Sequence, residues 1–196
     1  MSARRQRQMC IRDSNTIVSK EIPKSTKVAV IGGGVVGCSV AYHLAKFGLK
    51  DTVLFERDQL TSGTTWHAAG LVSQLGPTAA ITKIRKYTLD LYKELEKKVD
   101  HSAGLRLNGA LSIAQNKGRW QELQRQATTA QLYDVDVRIL DKDQIKKNYP
   151  IINTDEVIGG ILMPGDGAAD PSGVTHMLAN CLLYTSDAAD EHSGVD

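Results

Sequence analysis

Cysteine is scarce in this chain: three among 196 residues, too few for a disulfide scaffold. No charge sign dominates either, since 24 Lys and Arg face 22 Asp and Glu for a formal net charge of +2. A nucleic-acid binder normally carries a basic excess or basic blocks, so no nucleic-acid partner is expected. Long apolar runs are also missing. The most apolar uncharged stretch, Val28 to Tyr42, is shorter than a membrane span and contains four glycines, so no span is expected here. With 41% apolar and 23% charged residues, the chain is too apolar for a disordered one. What remains is the composition of a globular protein.

The two ends do not read as natural sequence. Met9 to Ser14 can be encoded by ATG TGT ATA AGA GAC AG. Its reverse complement contains TGT CTC TTA TAC ACA T, which reads Cys-Leu-Leu-Tyr-Thr, as at Cys181 to Thr185. The same inversion relates Arg4 to Gln8 to Ser186 to Glu191. A natural signal and a natural C-terminus do not explain that relation. Residues 1–14 and 181–196 are therefore expected to be translated adapter from a sequencing library, excluded from fold reasoning. The expected native segment, Asn15 to Asn180, is a fragment. Removing four Arg (4, 5, 7, 12) and five acids (Asp13, Asp187, Asp190, Glu191, Asp196) leaves 20 basic and 17 acidic residues, a net of +3. Cys10 and Cys181 fall away with the tails, so Cys38 has no disulfide partner, and no targeting peptide is visible.

What is present begins with phosphate chemistry. Lys27 to Ile31 (KVAVI) is a short β-branched run that stops at a glycine turn and continues into a helical pattern. Gly32, Gly34 and Gly37 occupy the three positions of G-x-G-x-x-G. The first permits the turn, the second lets backbone approach a pyrophosphate, and the third lets helix pack on strand. Free N–H groups and the positive dipole end at the helix start suit the phosphate charge. Val40, Ala41, Leu44 and Ala45 form the expected apolar stripe, and Gly48 the expected C-terminal cap. A second β run, Thr52 to Phe55, ends at Glu56, whose carboxylate can accept hydrogen bonds from a ribose hydroxyl pair and disfavours a 2′-phosphate. Strand, glycine turn, helix, strand and terminal acid together predict a dinucleotide site. They do not choose between NAD and FAD.

After Glu56 and Arg57 comes a stretch with neither helical nor strand period, running through Thr61, Ser62, Gly63, Thr64, Thr65, Trp66 and His67 to Ala68, Ala69 and Gly70. Its hydroxyls and backbone N–H groups suit a dinucleotide, and its small residues let a flat ring system come close. The run VAVIGGGVVGCSVAYHLAKFGLKDTVLFERDQLTSGTTWHAAGL resembles the FAD domain of the glycine-oxidase/D-amino-acid-oxidase superfamily. Within it, the resemblance is to the mitochondrial sarcosine and dimethylglycine dehydrogenase branch, and it extends through GDGAADPSG to cover Asn15 to Asn180. The resemblance implies FAD as cofactor, held by Gly32, Gly34, Gly37, Glu56, Arg57, Ser62, Gly63, Thr64, Thr65, Ala69 and Gly70, and bonded covalently to His67. It further implies oxidative demethylation of a small N-methylated amino acid, sarcosine or alternatively dimethylglycine, by hydride transfer to flavin. Tetrahydrofolate bound by a C-terminal region not present here, electron-transfer flavoprotein as acceptor, and the mitochondrial matrix as location follow from the same likeness. A non-catalytic regulatory relative, of the pyruvate dehydrogenase phosphatase type, is the alternative of another class. Catalytic residues are not assigned, and no metal site is expected.

The remainder alternates helices with strands. Lys83 to Lys98 carries Ile84, Tyr87, Thr88, Leu91 and Leu95 at helical spacing. Gly109 to Ala114 reads as a strand, about Gly118 to Leu132 as a helix, and Val135 to Leu140 as a strand. Asp141 to Gln144 reads as a capping box, Val157 to Met163 as a strand with a bulge at Gly159–Gly160, and Asp170–Pro171 as N-cap and first helical residue. The expected fold is α/β: a Rossmann-like FAD-binding domain of doubly wound, glutathione-reductase type, with the start of a mixed-sheet substrate domain, truncated. The FAD-binding part is expected over 15–104, the substrate part over 105–163, and a truncated return to the FAD domain over 164–180. Alone, such a fragment is expected to be inactive.

Overall fold

A computed structural model describes residues 7–9, 23–49, 51–99 and 102–187. Of the expected adapter tails, residues 1–6, 10–14 and 188–196 lie outside the described residues, as does His101. In chain order the elements are β1 (Arg7–Met9), β2 (Val28–Ile31), α1 (Val35–Lys46), β3 (Thr52–Glu56), a 3-10 turn (Thr65–His67), β4 (Leu71–Val72) and α2 (Ala79–Leu95). There follow β5 (Ala110–Ala114), α3 (Lys117–Gln131), β6 (Arg138–Leu140), α4 (Lys142–Asn148), β7 (Gly159–Met163), β8 (Gly167–Ala168) and α5 (Pro171–Asp187). The chain divides into two units, the first of residues 1–70, 92–104 and 169–196, the second of residues 71–91 and 105–168.

In the first unit, β2 and β3 pair in parallel, Val28 opposite Thr52 through Ile31 opposite Phe55, and β1 adds antiparallel to β3. Parallel pairing requires a crossover, and α1 supplies it. That helix ends in a Schellman arrangement: Gly48 at φ +84 donates to the Ala45 carbonyl, and Leu49 donates to that of Leu44. Its buried face is Cys38, Ala41 and Tyr42, turned one position from the expected stripe, and Val40 is left exposed. The reason is its partner: α1 packs chiefly on α5, whose Val174, Met177 and Leu178 are buried. The Asp170 carboxylate caps α5 by accepting from the amides of Ser172 and Gly173 at 3.1 and 3.0 Å, with Pro171 opening the helix.

The second unit is built on an antiparallel sheet in the order β5-β7-β6. Side chains alternate across it. Ala114, Ile161 and Met163 meet Leu123 and Ala127 of α3, whereas Leu140 meets Ile145 of α4 with Leu111, Ile113 and Leu162. The expected bulge at Gly159–Gly160 is absent. Register runs unbroken through Ala114 opposite Gly159 and Ile113 opposite Gly160. A Cβ on Gly159 would sit 2.8 Å from the Trp120 ring, and one on Gly160 would sit 2.7 Å from the Ser112 carbonyl oxygen. The two glycines are thus packing residues that let the helices close on both faces of β7. The capping box at Asp141 and Gln144 is formed, with both reciprocal hydrogen bonds present. Only Arg138–Leu140 of the expected Val135–Leu140 strand is formed, because the Val135 amide bonds back to the Ala130 carbonyl and finishes α3. In α2 the buried positions are Thr82, Leu89, Leu91 and Leu95, while Ile84 and Tyr87 of the expected stripe are exposed. Among the described residues no helix is long and apolar enough to cross a membrane.

Candidate functional site

The site of the first unit starts where β2 ends. Gly32 adopts φ +106, a conformation that L side chains rarely adopt, and its amide bonds to the Phe55 carbonyl at 2.7 Å. The glycine at 37 is needed for closeness instead: a Cβ there would lie 1.9 Å from the Gly32 carbonyl oxygen. Helix α1 thereby begins directly against the turn. Gly34 is its N-cap, in extended conformation and without a side-chain cap bond, and no acid stands in the first turn. Among the described residues, the amide of Gly33 is taken by Glu56 and that of Val35 by Thr65, while none of the hydrogen bonds formed reaches the amides of Gly34, Val36 or Gly37. Open space surrounds the Cβ position of Gly32. Three unpaired donors at a helix N-terminus, with no side chain filling the turn, fit a phosphate anion. The donor chemistry of a dinucleotide pyrophosphate seat is therefore present.

Glu56, at the end of β3, is held by both oxygens. Oε2 accepts from the Gly33 amide at 2.6 Å, and Oε1 accepts from the Asp58 amide at 2.9 Å. Each oxygen keeps a second lone pair for a ribose hydroxyl. Arg57 is exposed and pairs with Asp58 at 3.3 Å, an exposed contact worth well under about 1 kcal/mol. The negative charge of Glu56 has a neighbour in Cys38. Burial first, and that charge second, push the Cys38 thiol up to about 12, so it is no nucleophile at neutral pH.

The loop folds over this turn. Thr61 is buried at φ +69, its amide bonds to the Gly33 carbonyl at 3.0 Å, and its Oγ1 accepts from the Ser172 hydroxyl at 3.3 Å. Ser62, Gly63, Thr64 and Ala69 are exposed. Thr65 opens the 3-10 turn, and its Oγ1 accepts from the Val35 amide at 3.0 Å. His67 is exposed, its Nδ1 lying 3.2 Å from the Gly63 carbonyl oxygen, and its ring lies against Trp66 at 3.9 Å between centroids, tilted by 35°. Gly70 owes its identity to another backbone: a Cβ there would lie 2.2 Å from the Ala169 carbonyl oxygen, and the Ala169 amide donates to Gly70. The structure thus joins Gly32, Gly33, Gly34, Glu56 and Thr65 around one helix start. Arg57 and Ser62 stand at the surface without a bond into that cluster.

Sequence reading missed Leu60, whose Cδ2 lies 2.6 Å from the Cβ position of Gly33, and Ser172, the partner of Thr61. In the second unit Asp166 stands out by its burial. Its Oδ1 accepts from the Gln74 amide at 2.9 Å, while Oδ2 has no partner among the described residues. Burial raises its carboxyl pKa, against the opposing pull of the Gln74 bonds and the Arg85 charge. A carboxylate between two glycines in P-G-D-G was the available signal. Met163 lines a cavity of about 300 Å³ with Leu75, Pro77, Glu122, Arg125 and Gln126. Among the described residues no cluster of three or more His, Cys, Asp or Glu could hold a metal ion.

Comparison with known proteins gives this geometry its context. Residues 27–183 match the DAO family model, described as FAD dependent oxidoreductase. Mitochondrial sarcosine dehydrogenase of Homo sapiens is 40% identical over 162 residues, covering 82% of this chain and 18% of that protein. Mitochondrial dimethylglycine dehydrogenase of Rattus norvegicus is 37% identical over 153 residues, covering 78% of this chain and 18% of that protein. The chain therefore spans under a fifth of the length of these relatives. Glycine oxidase from Bacillus cereus ATCC 14579 shares the fold with a TM-score of 0.68 at 25% identity, over 82% of this chain and 44% of that one.

Proposed function

The chain belongs to the DAO family of FAD-dependent oxidoreductases, and on that premise we propose that it is the cofactor-binding part of a flavin-dependent amine dehydrogenase that demethylates sarcosine. The observation that carries the proposal is the helix start of α1, where unpaired amides, the Glu56 carboxylate and the Thr65–His67 turn converge. Similarity to both sarcosine and dimethylglycine dehydrogenases supports a small N-methylated amino acid as substrate. Residues 15–104 and 164–180 serve the cofactor and residues 105–163 begin the substrate domain. The grouping of residues 1–70 with 92–104 and 169–196 supports that division in part, since residues 71–91 and 164–168 group instead with 105–163.

In this reading the amides of Gly34, Val36 and Gly37 hold the FAD diphosphate, and Glu56 accepts from the ribose hydroxyls. Gly63 fixes the tautomer of His67. A carbonyl oxygen only accepts, so Nδ1 carries the proton and Nε2 keeps the lone pair. Nε2 is then the atom through which His67 is bonded to the flavin. Bound FAD supplies the acceptor for the hydride lost from the substrate N-methyl carbon. Electron-transfer flavoprotein as the next acceptor, tetrahydrofolate bound beyond residue 180, and a matrix location complete the proposal; mitochondrial relatives support the last.

The test uses full-length protein. Turnover with sarcosine and an artificial electron acceptor, at a kcat/KM at least tenfold above that with dimethylglycine, is expected. The opposite preference makes dimethylglycine the substrate. Absence of turnover with either, in a folded protein that loses its yellow colour on acid precipitation, favours the regulatory alternative.

A further inference from the structure

We infer that Thr65 is a positioning residue that couples the diphosphate seat at the start of α1 to the imidazole of His67. This rests on the reading of His67 as the point of flavin attachment, and adds to it the group that aims the ring.

A glycine N-cap has no side chain with which to satisfy the first amides of its helix. Here the missing cap comes from thirty residues further along the chain, as the Thr65 hydroxyl accepting from the Val35 amide at 3.0 Å. The glycine makes room for it: a Cβ on Gly34 would lie 2.8 Å from Thr65 Oγ1. Thr65 is also the first residue of the turn that ends at His67. Within that turn the His67 amide bonds to the Thr64 carbonyl, the Ala68 amide bonds to that of Thr65, and the Trp66 and His67 rings lie in contact at 3.9 Å between centroids. Moving the hydroxyl therefore moves the imidazole.

The hydroxyl has one more capacity. It accepts from Val35, and its own proton has no acceptor among the described residues. A phosphate oxygen brought to the neighbouring amides of Gly34 and Val36 supplies that acceptor. The anion then anchors Thr65 from a second side and narrows the range of His67 before attachment. Orientation of a nucleophile acts on the rate of bond formation rather than on occupancy of the site. Attachment replaces one flavin methyl C–H and one imidazole N–H by a C–N bond; two protons pass to solvent and two electrons to the flavin, from which dissolved dioxygen removes them.

The experiment follows the first-order appearance of acid-stable flavin in flavin-free full-length protein at saturating FAD. Thr65→Val is expected to slow attachment at least tenfold, and Thr65→Ser to restore it to within threefold of wild type. Val35→Pro removes the donor while leaving Thr65 intact, at a first helical position where proline is well tolerated and follows an extended residue. It is expected to slow attachment similarly, and the double variant to be no slower than the slower single one. Rates within twofold of wild type in either single variant overturn the proposal, as does a double variant whose slowing is the product of the two. If Thr65→Val does not fold, Val35→Pro decides alone. A wild-type pellet without acid-stable flavin overturns the attachment reading itself, and this proposal with it.

Discussion

The carboxylate of Glu56 and the amide of Gly33 meet at 2.6 Å, tying the end of β3 to the glycine turn that follows β2. One acid thus does two things. It sets the shape of the turn from outside and presents its remaining lone pairs to the space beside it. Replacing Glu56 therefore reaches the cofactor twice, by removing an acceptor and by freeing the turn. In a His67→Ala background that keeps flavin exchangeable, Glu56→Ala is expected to weaken FAD binding by about tenfold to a hundredfold, as for loss of a charged hydrogen bond. Fluorescence titration of the flavin-free protein measures it, and an affinity within twofold of the parent contradicts the role.

The glycines of the turn differ in what they tolerate. An Ala at 37 meets backbone at 1.9 Å, while an Ala at 32 meets no atom but must hold φ +106. Gly37→Ala is expected to cost on the order of 3 kcal/mol by overpacking, and Gly32→Ala about 1–3 kcal/mol of backbone strain. Thermal unfolding of the two flavin-free variants should rank Gly37→Ala as the less stable. The reverse order means that α1 shifts away from the turn at little cost.

Asp166 makes stability depend on pH in a direction opposite to that of a salt-bridged carboxylate. Its pKa is raised from 3.8 by burial, so the folded state holds the proton more tightly than the unfolded chain. The contribution is fully present below the ordinary carboxylate range and is lost as pH rises through the raised value. Subtracting the melting temperatures of Asp166→Asn from those of wild type should leave a difference that falls as pH rises through and above the ordinary carboxylate range. A flat difference removes the buried-acid account.

Much of the local chemistry was legible in the sequence, and the reason is locality. The capping box at Asp141, the N-cap and proline at Asp170 and Pro171, and the cap at Gly48 each depend on residues within a few positions, and all were formed. What failed needed the partner. Gly159 and Gly160 looked like a bulge because sequence cannot show Trp120 and Ile145 closing from opposite faces. Of the expected α2 stripe, Leu91 and Leu95 are buried but Ile84 and Tyr87 are exposed, with Thr82 and Leu89 buried in their place, since periodicity fixes the spacing of a stripe better than its rotation. The bond between Val35 and Thr65 was out of reach for the same reason.

Apolar surface left open in the first unit leads to a prediction about the chain by itself. Ile31 is 87% exposed and Val36 73% exposed, and among the described residues β2 pairs on one side only. Such an edge with apolar neighbours favours association. Expressed alone, residues 15–180 are expected in the insoluble fraction without flavin, and soluble yellow protein would contradict this. Amplifying the source transcript outward from the codons for Asn15 and Asn180 should give a frame that continues for several hundred residues.

Helix α1 and its packing partner α5 are separated by about 125 residues of intervening chain, from Lys46 to Pro171. At a synthesis rate of about 5–20 residues per second, the wait between them is roughly 6–25 s. During that interval the cofactor turn exists while one wall of its helix is bare, and closing the gap is a contact of high sequence separation. A nascent chain stalled before Pro171 therefore exposes Cys38, Ala41 and Tyr42, the face of α1 that is buried once α5 is in place, and should be held by chaperones more than one stalled after α5 has emerged.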